Sequence, residues 1–184
     1  KMRREHCEVM ILDVQACKCF LMDKNNAGEL NIDSRCVVGA GMGAIVAVNW
    51  AYYDWSAQQL PAFRQGLDVK ALVLLSPENS FKGMTTRRAL SSPLIKLNEN
   101  LSIFVVVGRE DRDAYSDSKK LYNSLERVRE TPKDPQERRE KQTVFLMELD
   151  TSLSGVDLLK ARGLNVMPAI GQFIDLRLSS KQSD

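Results

Sequence analysis

Cys36-Val37-Val38-Gly39-Ala40-Gly41-Met42-Gly43-Ala44, followed by Ile45-Val46-Ala47-Val48-Asn49-Trp50, is the stretch whose reading decides the fold. A short β-branched run meets three glycines at alternate positions, and a helical apolar pattern starts at once. Glycine lets the chain turn sharply and lets a strand, a helix start and a ligand approach one another closely. Two kinds of site are built this way. One is the nucleophile elbow G-x-S-x-G, which presents a serine on a strained strand-to-helix turn. The other is the dinucleotide fingerprint G-x-G-x-x-G/A, which offers backbone N–H groups at a helix N-terminus to a pyrophosphate. Gly39, Gly41 and Ala44 match the second pattern. Gly39 and Gly43 match the frame of the first, with Gly41 at the serine position.

Outward from this stretch the chain alternates buried strands with amphipathic helices. Upstream, Met10, Val14, Cys17 and Leu21 recur at helical spacing and predict a helix over about 7–24, stopped by Asn25-Asn26-Ala27-Gly28. The strand over 36–39 leads to a nearly all-apolar, central helix over about 42–54, closed by Tyr52, Tyr53 and Trp55. Continuous apolar runs predict further strands at 69–76 and 101–107, as in a parallel sheet covered on both faces. Between them, 78–100 reads as a loop-rich connection with at most a short helix near 85–90. A helix over about 114–129, a charged solvated segment at 131–142 and a strand at 143–149 follow. Asp150 to Gly155 is a turn, Leu158-Leu159 a short helical piece, and about 166–178 the last helix; Pro168 is tolerated in its first turn. This order predicts an α/β fold, a doubly wound and mainly parallel sheet with helices on both faces, in one domain spanning 1–184 with its core at about 8–178 and a polar tail at 179–184.

The 184 residues suffice for one domain with a proper core. Hydrophobic residues at 43% and charged residues at 27% are ordinary for a globular protein. A net charge of +2 gives no basis for a nucleic-acid partner. No apolar run approaches the roughly 18–20 residues of a membrane span, and residues 1–6 do not lead into a secretory signal. Localisation is unmarked, with the cytoplasm as the default expectation. Cys7, Cys17, Cys19 and Cys36 read first as small buried hydrophobes in a reducing compartment, with a disulfide from Cys7 or Cys17 to Cys36 as the other option. His6 is the single histidine and is remote from any ligand pair, so no metal and no cofactor is expected.

The dinucleotide fingerprint also needs an acidic residue ending the next strand, about 20 residues on. Here that strand ends at Leu75-Ser76-Pro77-Glu78, after an apolar helix and a long loop. The elbow reading draws on the whole chain order, which resembles the C-terminal part of an α/β-hydrolase from about 13 to 178. Val38-Gly39-Ala40-Gly41-Met42-Gly43-Ala44 is similar to that family's Gly-His-Ser-Met-Gly-Gly elbow. Ala71-Leu72-Val73-Leu74-Leu75-Ser76-Pro77 resembles its next strand, and 101–111 the strand ending in Gly-x-x-Asp.

The resemblance implies a nucleophile at Gly41, an acid at Asp111 (or Asp113) and a base among Thr151-Ser152-Leu153-Ser154, best at Ser154. It also implies that the early strands and a second oxyanion-hole loop lie upstream. Gly41 has no nucleophile and no histidine occupies the base position; Ser-His-Asp chemistry needs both within hydrogen-bond reach. Asp111 or Asp113 is expected rather to cap the following helix. The expectation is therefore a non-catalytic, hydrolase-like binding or structural module for a small-molecule or protein ligand. Its candidate ligand-binding groups are the N–H groups of Met42 and Gly43, with hydroxyls from Ser76, Ser152 and Ser154. The bland alternative is that the glycines serve only a tight strand–helix crossing. Two other functions stand beside it: an active, esterase-like hydrolase with a displaced site at Ser76 or Ser154 or one completed by another chain, and a nucleotide-binding module at the 39–44 turn.

Overall fold

The computed structural model describes residues 4–30, 32, 35–58, 65–129 and 131–179. In chain order the elements are α1 (Arg4–Asn26), β1 (Arg35–Ala40), α2 (Met42–Trp55), β2 (Val69–Leu75), β3 (Ser80–Phe81), β4 (Met84–Thr85), α3 (Arg87–Ser91) and α4 (Pro93–Lys96). They continue with β5 (Ser102–Gly108), α5 (Arg112–Glu126), α6 (Pro135–Lys141), β6 (Val144–Leu149), α7 (Asp157–Lys160) and α8 (Val166–Ile174), which runs into a wide π turn at Asp175–Ser179.

Four strands form one sheet in the order β1-β2-β5-β6, every pair parallel. Its period-2 alternation separates two cores. Leu72, Leu74, Ile103 and Val105 face Ala47, Val48 and Ala51 of α2, Ala89 of α3, Ile95 of α4 and Leu121 and Leu125 of α5. Val73, Leu75, Phe104 and Val106 face Leu158 of α7 and Val166, Ile170 and Phe173 of α8. The continuous apolar strands are thus covered on both sides, as parallel sheets require. Phe104, Phe145 and Phe173 stack mutually on the second face, with centroids 5.3 to 6.5 Å apart. The polar tail lies almost wholly outside the described residues.

Three sequence expectations are corrected. The connection at 78–100 is ordered into the β3–β4 hairpin, α3 and α4, where a loop with one short helix was expected. The charged 131–142 segment carries a helix, α6: Asp134 accepts from the N–H groups of Gln136 and Glu137 and Pro135 opens the first turn. Its residues are exposed, as expected of a charge run. Third, the inward stripe of α1 does not run through Cys17. Cys17 and Cys19 are exposed and Lys18 between them is buried, so the buried-hydrophobe reading fails for those two thiols. Cys17, Cys19 and Cys36 are all free, and Cys36 alone of these three is half-buried; burial pushes the Cys36 thiol up from 9.0 to about 12.

Lys18 turns inward because two carboxylates await it. Its Nζ lies 2.7 Å from Asp54 Oδ1 at the end of α2 and also pairs with Asp68 Oδ2, just before β2. Asp54 Oδ2 accepts from the N–H groups of Asp68 and Val69, at 2.8 and 3.1 Å. Arg35, opening β1, lies 3.9 Å from Asp68. These four buried side chains close the N-terminal edge of the sheet. Gln15 extends the polar seam by accepting from Trp50 Nε1 at 3.1 Å.

Candidate functional site

The opposite, C-terminal edge holds the glycine turn. Each strand end there is tied to its neighbour through the backbone: Gly41 N–H donates to Leu75 O at 2.9 Å, Ser76 N–H to Val106 O at 2.8 Å and Arg109 N–H to Leu149 O at 2.8 Å. The row Gly41, Ser76, Arg109 therefore steps along one rim, the place where open α/β sheets bind ligands.

The three glycines do different work. A Cβ at Gly39 would sit 2.5 Å from Gly43 O and 2.8 Å from Ala44 Cα, so only glycine permits β1 and α2 to cross this closely. Gly41 takes φ 52°, ψ −118° as the residue capping α2, a conformation costly for any side chain. Space, however, is open there: a Cβ would meet only Glu78 Oε1, at 3.7 Å. Gly43 has nothing within 4 Å of its Cβ position. At position 41 the limit on a side chain is thus conformational and not steric. No side chain caps α2, whose first turn is left to its own backbone groups.

Around this turn Met42, Gly43, Val38 and Val46 join Met10 and Val14 of α1 and Val156 and Leu159 of the α7 region to line a cleft of about 580 Å³. Its lining is predominantly apolar; among the described residues Asp13 is the one ionisable side chain in it. Val38 and Val156 are half-exposed.

The hydroxyls distribute unevenly. Ser76, at φ 46° and fully buried, accepts at Oγ from Gly155 N–H at 3.0 Å, stitching the end of β2 to the turn after β6. Gly155 itself comes close to Ala40, 3.9 Å from Cβ to Cβ position. Ser152 and Ser154 are exposed. Asp111 is the cap of α5, accepting from Ala114 N–H at 3.3 Å, and Asp113 stands exposed in the first turn of that helix. His6 is exposed on α1.

Two carboxylates at this rim escaped the sequence reading. Glu78 is one, carried over the glycine turn because β2 lies directly beside β1. The other is Glu148, which accepts from Tyr115 Oη at 2.9 Å and pairs with Lys119 at 2.9 Å and Arg109 at 3.3 Å. Lys119 first, then Tyr115 and Arg109, hold its carboxyl below the usual range. An acid set inside the apolar run Val144-Phe145-Leu146-Met147-Glu148-Leu149 was a readable signal for that cluster; nothing local marked Glu78.

Among the described residues no group of three or more His, Cys, Asp or Glu is placed to hold a metal ion, and no helix is long and apolar enough to cross a membrane. Comparison with protein-family models, curated proteins and solved structures finds no match for the chain.

Proposed function

We propose that this domain is a non-catalytic, α/β-hydrolase-like binding module that takes a small ligand with an apolar body at the glycine turn. The observation that carries the reading is Gly41, a strained turn with open space above it and no nucleophile, next to the apolar cleft. Ester chemistry on this frame requires a nucleophile and a base acting as one unit, and loss of both leaves little to work with. The 151–154 turn contributes only small polar and apolar side chains, and the Ser76 hydroxyl is engaged with Gly155. What the turn retains is donors: the N–H groups of Met42 and Gly43 at the start of a 14-residue helix. With the Glu78 carboxylate 3.7 Å from the Gly41 Cβ position, a neutral oxygen acceptor such as an amide or ester carbonyl suits those donors better than an anion. The same carboxylate weighs against a pyrophosphate, and hence against nucleotide binding, at the turn.

The test pairs chemistry with binding. Purified protein is expected to leave p-nitrophenyl butyrate unhydrolysed and to resist a fluorophosphonate serine probe, while enhancing the fluorescence of the neutral probe N-phenylnaphthylamine. Gly43→Leu puts a side chain into open space at the cleft and is expected to abolish that enhancement without loss of fold. Ester turnover removed by Asp111→Ala, or probe labelling at Ser76 or Ser154, would return the domain to the active hydrolases.

A further inference from the structure

We infer a second site, for a phosphate-bearing small molecule, in the cleft between α5 and the α3–α4 layer. The cleft encloses about 510 Å³, and three cations line it: Arg87 at the start of α3, Lys96 at the end of α4 and Lys120 on α5. Among the described residues, no aspartate or glutamate lines it. Lys120 leans toward Asp117 at 3.5 Å, an exposed i,i+3 pair of little strength. Arg87 and Lys96 make no ion pair among the described residues. An anion seated in the cleft supplies the counter-charge that those two side chains lack. Arg87 supplies the planar fork suited to two phosphate oxygens, and the lysines supply point charges.

The walls are fixed before any ligand arrives. At one end Asn79 donates through its backbone N–H and its amide to the two oxygens of Asp117, at 3.0 and 2.6 Å, pinning the chain after β2 to α5. This also occupies the nearest carboxylate. At the other end the buried Arg129 guanidinium gathers the carbonyls of Ile95, Lys96 (3.1 Å) and Leu101 (2.7 Å), pinning α4 to the end of α5. Leu90 and Leu121 contribute apolar surface between the two clamps, and Ser80 and Thr85, directly paired in the hairpin, bring hydroxyls. Asn49 holds the Thr85 carbonyl to α2 at 3.1 Å, so the hairpin is anchored too.

A neighbouring cleft of about 530 Å³ shows what a spent basic pocket looks like. Arg129 and Arg177 line it, but the guanidinium of Arg129 and both terminal nitrogens of Arg177 already donate to carbonyls; Lys141 is paired with Glu137 at 3.0 Å, and Glu99 and Glu140 are in the lining. The α5 cleft differs from it in having two cations, Arg87 and Lys96, without an ion pair and no acid in its lining among the described residues.

Pyrophosphate titrated into the full chain at low salt, followed by amide chemical shifts and calorimetry, tests the site. Expected are saturable shifts at Thr85, Arg87, Lys96 and Lys120, an affinity that falls with added salt, and a loss of about tenfold or more in the double variant R87Q/K96Q with unchanged thermal unfolding. Neither side chain makes a hydrogen bond among the described residues, so the fold is expected to persist; K120Q provides an independent check. Pyrophosphate that leaves these amides unshifted at millimolar concentration, binds the double variant equally well, or shifts Met42 and Gly43 instead overturns the inference. Because those readouts are separate from ester turnover and neutral-probe binding, this site and the one at the glycine turn stand or fall independently.

Discussion

At the start of β1 and β2, Lys18, Asp54, Asp68 and Arg35 are buried side chains that hold one another; at the far ends of the same strands, Gly39, Gly41 and Ser76 are held through the backbone. One rim is closed by paired charges. At the other, the glycine turn is bound to its neighbours through main-chain groups and lies beside an apolar cleft. On the proposed reading the closed rim is sensitive to loss of any one partner and the open rim is where a ligand enters. The contrast predicts that substitutions at the first rim unfold the domain, whereas those at the second separate into positions fixed by sterics and positions free to change.

The largest effect is expected from Lys18→Met. It leaves Asp54 and Asp68 buried without their ammonium, and removing one partner of such a cluster costs about 3–5 kcal/mol. Urea unfolding measures it. A loss below about 1 kcal/mol, the worth of a surface pair, would mean that the cluster is hydrated and that the two rims do not differ in kind.

Within the open rim, Gly39→Ala and Gly41→Ser pull apart. The Gly39 Cβ position lies 2.5 Å from a backbone oxygen that cannot swing away, so the alanine is expected to cost about 3 kcal/mol, the upper part of the overpacking range. At Gly41 the Cβ is clear and the penalty is conformational, about 1–2 kcal/mol for a side chain at positive φ. Gly41→Ser is therefore expected to fold and, with no histidine to take its proton, to show no ester turnover. Equal costs at the two glycines would erase the distinction between a steric glycine and a vacated one.

The same division governs what the sequence disclosed. The parallel sheet was legible because 71–75 and 103–107 are apolar at every position, which only a strand covered on both faces tolerates. The glycine turn was legible because its residues are contiguous. The ion cluster was not: Lys18, Arg35, Asp54 and Asp68 come from four separate places, and helical periodicity put Cys17 on the inward stripe because a thiol looks more apolar than an ammonium. Glu78 was hidden for a related reason. A count of residues from the glycines placed it too far along for the dinucleotide spacing, yet adjacent parallel strands end side by side whatever the length between them. Asp111 was readable as a cap from its place alone, since a carboxylate before an amphipathic run has a partner in the first turn.

Cys36, next to Arg35 at the closed rim, gives a pH-dependent handle. Its thiol titrates near 12 when folded against 9.0 when free, so between those values the unfolded chain binds fewer protons than the folded one. Stability is unaffected below pH 9.0 and falls as pH rises through that window, by up to about 1.4 kcal/mol per unit. Cys36→Ala removes this slope. The expected result is a difference in unfolding free energy between the two proteins that changes above pH 9.0 and is constant below it. At pH 8 a thiol reagent should modify Cys17 and Cys19 well before Cys36. Comparable rates for all three would place Cys36 in water and detach it from the closed rim.

The smallest effect concerns Ser76, where an engaged hydroxyl and a strained non-glycine backbone coincide at the open rim. Ser76→Ala keeps the strain and leaves Gly155 N–H without its acceptor, for a loss of about 1–2 kcal/mol. Ser76→Gly loses the same hydrogen bond but relaxes a φ of 46°, so it is expected to cost about 1 kcal/mol less than the alanine. That ordering follows only if the parallel ladder, through Ser76 N–H and Val106 O, holds residue 76 in the left-handed region once the hydroxyl is gone. A glycine as costly as the alanine, or costlier, would mean that the Oγ–Gly155 bond itself sets that conformation and that residue 76 relaxes out of it once the hydroxyl is lost.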